Sequence, residues 1–174
     1  MKISLGSIKE LRELTCASIA ECKKALHESE GDVQKARDIL RKRGLEIAKG
    51  KQSRVAKDGR IEAYVHLGSK IGVLLEVDCE TDFVARNGDF CQFTKDVAMQ
   101  IAACNPKYVK REDVPADVID SEKDKELFYK EHCLLEQAFI KDPSLSIKDC
   151  LGNMIVKVGE KIDIRRFIRY KIGE

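Results

Sequence analysis

No apolar run in this chain approaches the roughly 20 residues that a helix needs to cross a bilayer, and Met1-Lys2-Ile3-Ser4 opens no secretory hydrophobic region. A soluble, cytoplasmic protein without membrane attachment is expected. Charge of one sign is not in excess. The 32 Lys and Arg face 30 acids, and a net charge of +2 supplies no general attraction to nucleic acid or anionic lipid. The seven cysteines, Cys16, Cys22, Cys79, Cys91, Cys104, Cys133 and Cys150, are an odd count without a Cys-x-x-Cys pair, and most fall at apolar positions of helix or strand patterns. They read as reduced core residues, neither a disulfide framework nor a zinc site. Histidine is scarce. His27, His66 and His132 are scattered among solvated neighbours and show no metal-ligand spacing. What the chain does have is 43% hydrophobic and 36% charged residues, enough for a real core beneath well-solvated helices. Its 174 residues suit one domain or a small module joined to a larger one.

The hydrophobic pattern favours two parts. In the first, Ile8, Leu11 and Leu14 mark one helix face, Ser18-Ile19-Ala20-Glu21 fits a capping box, and Ile19, Cys22, Ala25 and Leu26 continue the second helix as an apolar stripe. Gly31-Asp32 starts a third helix carrying Val33, Ala36, Ile39 and Leu40, with Gly44 suited to the left-handed position past its end. Helices this short are stable only by sharing a core. The domain expected over residues 1–46 is followed by a polar, basic linker over 47–58.

From residue 59 to 174 an α+β domain around an antiparallel sheet is expected. Ile61, Ala63, Val65 and Leu67 alternate with polar residues, Gly68-Ser69-Lys70 turns the chain, and Val73, Leu75, Val77 and Cys79 alternate back as a hairpin. Asn87 can cap a helix with Phe90, Phe93, Val97 and Ile101 on its buried face, stopped by Asn105-Pro106. An irregular stretch over 108–115, a helix over 121–137 and a shorter helix after Ser146 follow. Residues 162–172 close the chain as a half-buried strand in which Ile162, Ile164, Ile168, Tyr170 and Ile172 share parity, broken at Arg166.

Several chemistries fail on spacing. Gly50-Lys51 is no phosphate loop, because Gly44 lies one residue too far upstream and Gln52 occupies the hydroxyl position, so direct nucleotide binding is not expected. Asp78, Glu80 and Asp82 alternate like calcium ligands, but Phe83 stands where that loop needs Gly. His132 and Cys133 are adjacent, and neighbours on a helix point about 100° apart, which argues against a thiol nucleophile and its base. The cluster Arg41, Lys42, Arg43, Lys49, Lys51 and Arg54 lacks interleaved aromatics and reads as a solvated helix end, not a nucleic-acid site. One segment remains. Asp78-Cys79-Glu80-Thr81-Asp82-Phe83-Val84-Ala85-Arg86-Asn87 runs a hydrophobic strand into an acid and an aromatic just before a capped helix, an arrangement that presents a rigid side chain to a partner.

Thr81-Asp82-Phe83-Val84-Ala85-Arg86-Asn87, the stretch 108–115, Leu134-Leu135-Glu136-Gln137, and Gly159-Glu160-Lys161-Ile162 with Arg165-Arg166-Phe167 resemble the elongation factor Ts family, in order and at matching spacing. Leu11-Arg12-Glu13-Leu14-Thr15, Glu21-Cys22-Lys23-Lys24-Ala25-Leu26 and Gly31-Asp32 resemble its amino-terminal domain. The resemblance implies a ubiquitin-associated-like three-helix domain followed by the family's α+β core. It implies guanine-nucleotide exchange on elongation factor Tu in translation, by binding and without covalent chemistry or a cofactor. Thr81, Asp82, Phe83 and Val84 would then act beside the magnesium site of the GTPase, and Lys9, Arg12, Ile19 and Ala20 would contact its nucleotide domain. Short members pair, so a homodimer is implied. The chain departs from the family at Thr15-Cys16-Ala17-Ser18-Ile19-Ala20, and it lacks a helical segment between Lys125 and Leu127. A peptide-capturing adaptor and a thiol enzyme using Cys133 are the alternatives from other classes.

Overall fold

The computed structural model describes residues 3–15 and 17–174; Cys16, counted above with the reduced cysteines and the amino-terminal motif, lies outside the described residues. In chain order the elements are α1 (Leu5–Thr15), α2 (Ile19–Glu28), α3 (Val33–Lys51), β1 (Asp58–Val65), β2 (Ile71–Cys79), α4 (Asp82–Ala85), α5 (Gly88–Cys104), α6 (Ala116–Ser121), α7 (Lys125–His132), β3 (Ala138–Phe139), β4 (Asp142–Ser146), α8 (Ile147–Val158) and β5 (Ile162–Lys171). The fold is α+β. Two compact units divide the chain, one of Met1–Arg54 with Leu151–Lys161, the other of Val55–Cys150 with Ile162–Glu174.

In the first unit α1, α2 and α3 bury Leu11, Cys22, Ala25, Leu26, Ala36 and Leu40 in one core, with Val33 and Ile39 packed at its edge. Ser18 Oγ accepts the Glu21 amide at 3.2 Å, and Asp32 Oδ1 accepts those of Gln34 and Lys35 at 3.0 Å each, so both helix starts are capped by the side chains their sequences offer, while the Glu21 carboxylate of the expected capping box lies 3.6 Å from Arg43 Nη1. Gly44 does not end α3. The helix runs on to Lys51, so residues 47–51 of the expected linker are helical. Gly44 serves a close approach instead: a Cβ there would stand 3.7 Å from the Gly152 carbonyl carbon, and one on Gly152 would stand 3.6 Å from that of Gly44. Past the helix end, Lys161 Nζ donates to the carbonyls of Gln52 and Arg54 at 2.9 Å each, and Lys51 Nζ donates to that of Gly159 at 2.6 Å. Lysines thereby tie together the chain segments just past the ends of α3 and α8.

In the second unit β2 is the central strand of an antiparallel sheet ordered β1-β2-β5, with α5 packed across one face. Asn87 caps α5 by accepting the Asp89 amide at 2.8 Å, and Asn105 ends it with a left-handed backbone (φ 47°). The helix expected over 121–137 is broken into shorter pieces. Cys133 takes an extended conformation (φ −99°, ψ 117°) and bridges to Tyr108, which ends α7 at His132, and a 3-10 turn follows over Leu134–Glu136. The β3–β4 hairpin beyond it was not legible from the pattern. It is held by the buried amide of Gln100, which donates to Gln137 Oε1 (3.2 Å) and the Ala138 carbonyl (3.1 Å) and accepts the Ile140 amide (2.9 Å).

Two features set which side chains the sheet exposes. On β1 the inward residue is Glu62, while Ile61 and Val65 lie outside, the reverse of what apolar alternation suggests. On β5 the register with β2 steps from Val77↔Ile164 to Glu76↔Arg166, leaving Arg165 as a bulge. A bulge moves every later residue to the opposite face. Ile162 and Ile164 are therefore buried, whereas Ile168 and Tyr170, assigned the same parity by sequence, are exposed. Their cross-strand partners complete an outer apolar face of Ala63, Leu74 and Ile168 beside Val65, Gly72 and Tyr170.

Asp78 and Asp163 stand opposite each other on β2 and β5. Burial, with Glu76 and Asp163 nearby, pushes the Asp78 carboxyl above its ordinary range. A carboxyl whose folded pKa exceeds its unfolded value of about 3.9 costs stability when ionised, fully above the folded pKa and not at all below the unfolded one. Asp78→Asn is expected to raise the urea midpoint at pH 7, the gain shrinking as pH falls towards about 4. A gain independent of pH, or a loss at pH 7, would contradict this reading of the strand pair.

Candidate functional site

The site begins with the buried residues of β2, Val73, Leu75, Val77 and Cys79, which fix where that strand ends. Two residues later Thr81 is still extended (φ −133°, ψ 152°), and its Oγ1 accepts the Val84 amide at 3.4 Å, starting the single turn of α4. The amides of Ala85 and Arg86 bond to the carbonyls of Thr81 and Asp82, each at 3.2 Å. Successive residues of a helix point about 100° apart, so one turn cannot bury all its side chains. Val84 and Ala85 are buried, and Phe83 is 78% exposed. Burying a Phe is worth about 1.5 to 3 kcal/mol, a gain this chain forgoes while it is alone.

Asp82 Oδ2 lies 3.0 Å from Arg86 Nη2, one turn on, with both side chains largely in solvent. Such a pair contributes little to stability. The cap is Thr81, so the Asp82 carboxylate is not what holds the turn.

Beneath α4 lies a polar chain that sequence reasoning did not find. Cys79 Sγ donates to the Thr81 carbonyl at 3.1 Å, and Cys91 Sγ to that of Ala85 at 3.7 Å. Arg60 Nη1 donates to Cys91 Sγ at 3.4 Å, and Arg60 Nε to Glu62 Oε2 at 2.9 Å. The Glu62 bond raises the Arg60 guanidinium above its ordinary value. Thr94, fully buried, places its hydroxyl 3.2 Å from the same Glu62 oxygen. The available signal was Glu62 itself, two residues from Arg60 on a strand, since i and i+2 share a face.

The second group of sequence candidates belongs to the other unit. Lys9 and Arg12 stand one turn apart on α1, Ile19 and Ala20 open α2, and all four are exposed. Ile19 thus does not join the buried stripe of its helix. The outer sheet face formed by the β5 bulge is a further candidate surface that strand parity had concealed.

Cys133 is fully buried, and its burial, with Glu136 beside it, pushes the thiol up to about 11. It stays protonated at neutral pH, the wrong state for a nucleophile. Gly50 and Lys51 belong to α3, and among the described residues no strand precedes them. Among the described residues no group of three or more His, Cys, Asp or Glu is placed to hold a metal ion, and no helix is long and apolar enough to cross a membrane.

Comparison with known proteins identifies the family. The family model described as Elongation factor TS matches residues 6–127 and 125–174. The chain is 49% identical over 195 aligned residues to Elongation factor Ts of Thermoanaerobacter sp. (strain X514), covering 99% of this chain and 96% of that protein. It is 48% identical to Elongation factor Ts of Carboxydothermus hydrogenoformans (99% and 90% covered) and 47% identical to that of Thermotoga neapolitana (100% and 99%). An alignment of 195 positions against 174 residues leaves at least 21 without a counterpart here. The family match itself breaks and resumes at 125–127, where α7 now starts on an Asp124 cap. With the family model matching residues 6–127 and 125–174 and relatives about half identical over nearly the whole chain, this chain belongs to the elongation factor Ts family.

Proposed function

We propose that this chain is a guanine-nucleotide exchange factor for elongation factor Tu, promoting GDP release during translation elongation in the cytoplasm. The turn carrying Asp82 and Phe83 enters the GTPase near its magnesium site, with Thr81 setting the turn and Val84 anchoring it. The observation that carries this reading is a Phe left 78% exposed on a turn whose neighbours Val84 and Ala85 are buried. The factor itself takes no nucleotide, nucleic acid, cofactor or membrane. Lys9, Arg12, Ile19 and Ala20, exposed on a ubiquitin-associated-like three-helix domain over residues 1–46, make the first contact with the nucleotide domain of the GTPase. The core domain, residues 59–174, supplies the wedge.

Exchange requires no covalent step. A factor that binds the empty GTPase more tightly than the loaded one must weaken nucleotide binding by the same ratio. Burying Phe83 supplies about 1.5 to 3 kcal/mol, roughly ten- to hundredfold. Displacing the segment that holds magnesium enlarges this, because without the cation the phosphates of GDP lose the charge their site is built around.

The same reading includes a homodimer, for which the outer sheet face supplies an argument. Leu74, Ile168, Val65 and Tyr170 are exposed together, and a face with an apolar centre suits pairing with its own copy. The mass in solution is then twice 19.7 kDa, and Leu74→Arg halves it; a wild-type mass of one chain would remove the dimer from the account.

Phe83→Ala is expected to leave the melting temperature unchanged and to slow stopped-flow GDP release from elongation factor Tu by at least about tenfold, the lower end of the contribution of one buried Phe. Asp82→Ala slows release less and leaves melting unaltered, since Thr81 holds the cap. Wild-type release by the Phe83 variant would refute the wedge.

A further inference from the structure

The exposed ring of Phe83 is useful only if its backbone is held still. A displacement of about 1 Å at a working group can cost about a hundredfold in rate. The start of α4 is held by the Thr81 cap. Its end is closed by the Asn87 amide, which donates to the Val84 carbonyl at 2.9 Å, and by the Cys91 thiol, which faces the carbonyl of Ala85. Cys91 is both donor and acceptor: it gives its hydrogen to Ala85 and receives one from Arg60 Nη1 at 3.4 Å. A guanidinium cannot accept a hydrogen bond, so its approach turns the thiol hydrogen away from itself and towards the loop. The orientation of Arg60 is in turn set by Glu62, whose side chain is 8% exposed against 36% for Arg60.

From this chain of contacts we infer that Glu62 and Arg60, acting through the Cys91 thiol, are positioning residues for α4, and hence for the direction in which Phe83 is presented. The inference rests on the exchange reading above and adds three residues that its site does not include. A carboxylate on the buried face of β1 is a costly placement for stability alone. An apolar residue of similar volume in such a position is often neutral or stabilising. Its use here is to aim a side chain on the neighbouring element. The polar chain crosses from β1 to the first turn of α5 and ends on the loop, so it ties the wedge to both of these elements.

Three substitutions in the full-length chain test this, with Phe83→Ala as reference and stopped-flow GDP release from elongation factor Tu as readout. Cys91→Ala removes both the donor and the acceptor; the release rate at saturating factor should fall about three- to tenfold, while the half-saturating concentration stays within about twofold, because the exposed contact surface is untouched. Cys91→Ser keeps both functions and should restore the rate. Glu62→Leu separates positioning from folding. It should leave the melting temperature equal or higher, with Arg60 swinging into solvent, and yet slow release as Cys91→Ala does. Amide exchange at Ala85, Arg86 and Asn87 should quicken in Cys91→Ala and Glu62→Leu but not in Cys91→Ser. Slow release by Phe83→Ala with wild-type rates for Cys91→Ala and Glu62→Leu would overturn this inference and leave the wedge standing. Equal slowing by Cys91→Ser and Cys91→Ala would also overturn it, since packing at position 91 would then be the cause. Wild-type release by Phe83→Ala would overturn the exchange reading and this inference together.

Discussion

One turn of helix, begun at the end of a buried strand, cannot hide both of its faces. Val84 and Ala85 take the inner side of α4, and this obliges Asp82, Phe83 and Arg86 to take the outer one. The obligation is geometric and does not depend on how apolar Phe83 is. The Thr81 cap fixes where the turn starts, the end of β2 fixes where it stands, and Asn87 begins the next helix at once. No slack is left through which the aromatic could fold back. An apolar side chain fixed in water by its own backbone holds free energy that only another molecule can release.

The sheet follows a similar logic. An extra residue at Arg165 turns the second half of β5 over, and on β1 the carboxylate of Glu62 takes an inward place that an apolar residue would otherwise fill. Both arrangements give up burial within the chain. The first places Ile168 and Tyr170 outside with Leu74 and Val65, and the second puts a charge beneath the loop that bears Phe83. Burial is given up at an outer sheet face and beneath the loop that bears the exposed aromatic, the two surfaces on which the proposed contacts rest.

Much of this was legible beforehand. Capped helices announce themselves because Ser18, Asp32 and Asn87 each precede an apolar stripe, and the hairpin does so because β2 alternates from Leu75 to Cys79. The exposed aromatic was legible from its place between a strand and a cap. What could not be read was whatever depends on contacts far apart in sequence. Gly44 looks like a helix stop until Gly152 is seen against it. Residues 121–137 look like one helix until Tyr108 draws Cys133 into a bridge. The strand parity of residues 162–172 holds on each side of the bulge and reverses across it. Gln100 carries no local pattern, since a buried polar residue is explained only by its partners.

In the exchange reading proposed above, nucleotide release is a matter of differential contact, with the wedge beginning the change and the lost cation enlarging it. The most direct measurement replaces Phe83 with a photoreactive benzoyl-phenylalanine and irradiates the chain with elongation factor Tu. Crosslinking should map beside the magnesium-binding segment of the nucleotide domain and fall away when excess GDP and magnesium are added. A complex that forms without crosslinking from position 83, or that crosslinks equally well with GDP and magnesium saturating, would contradict the account.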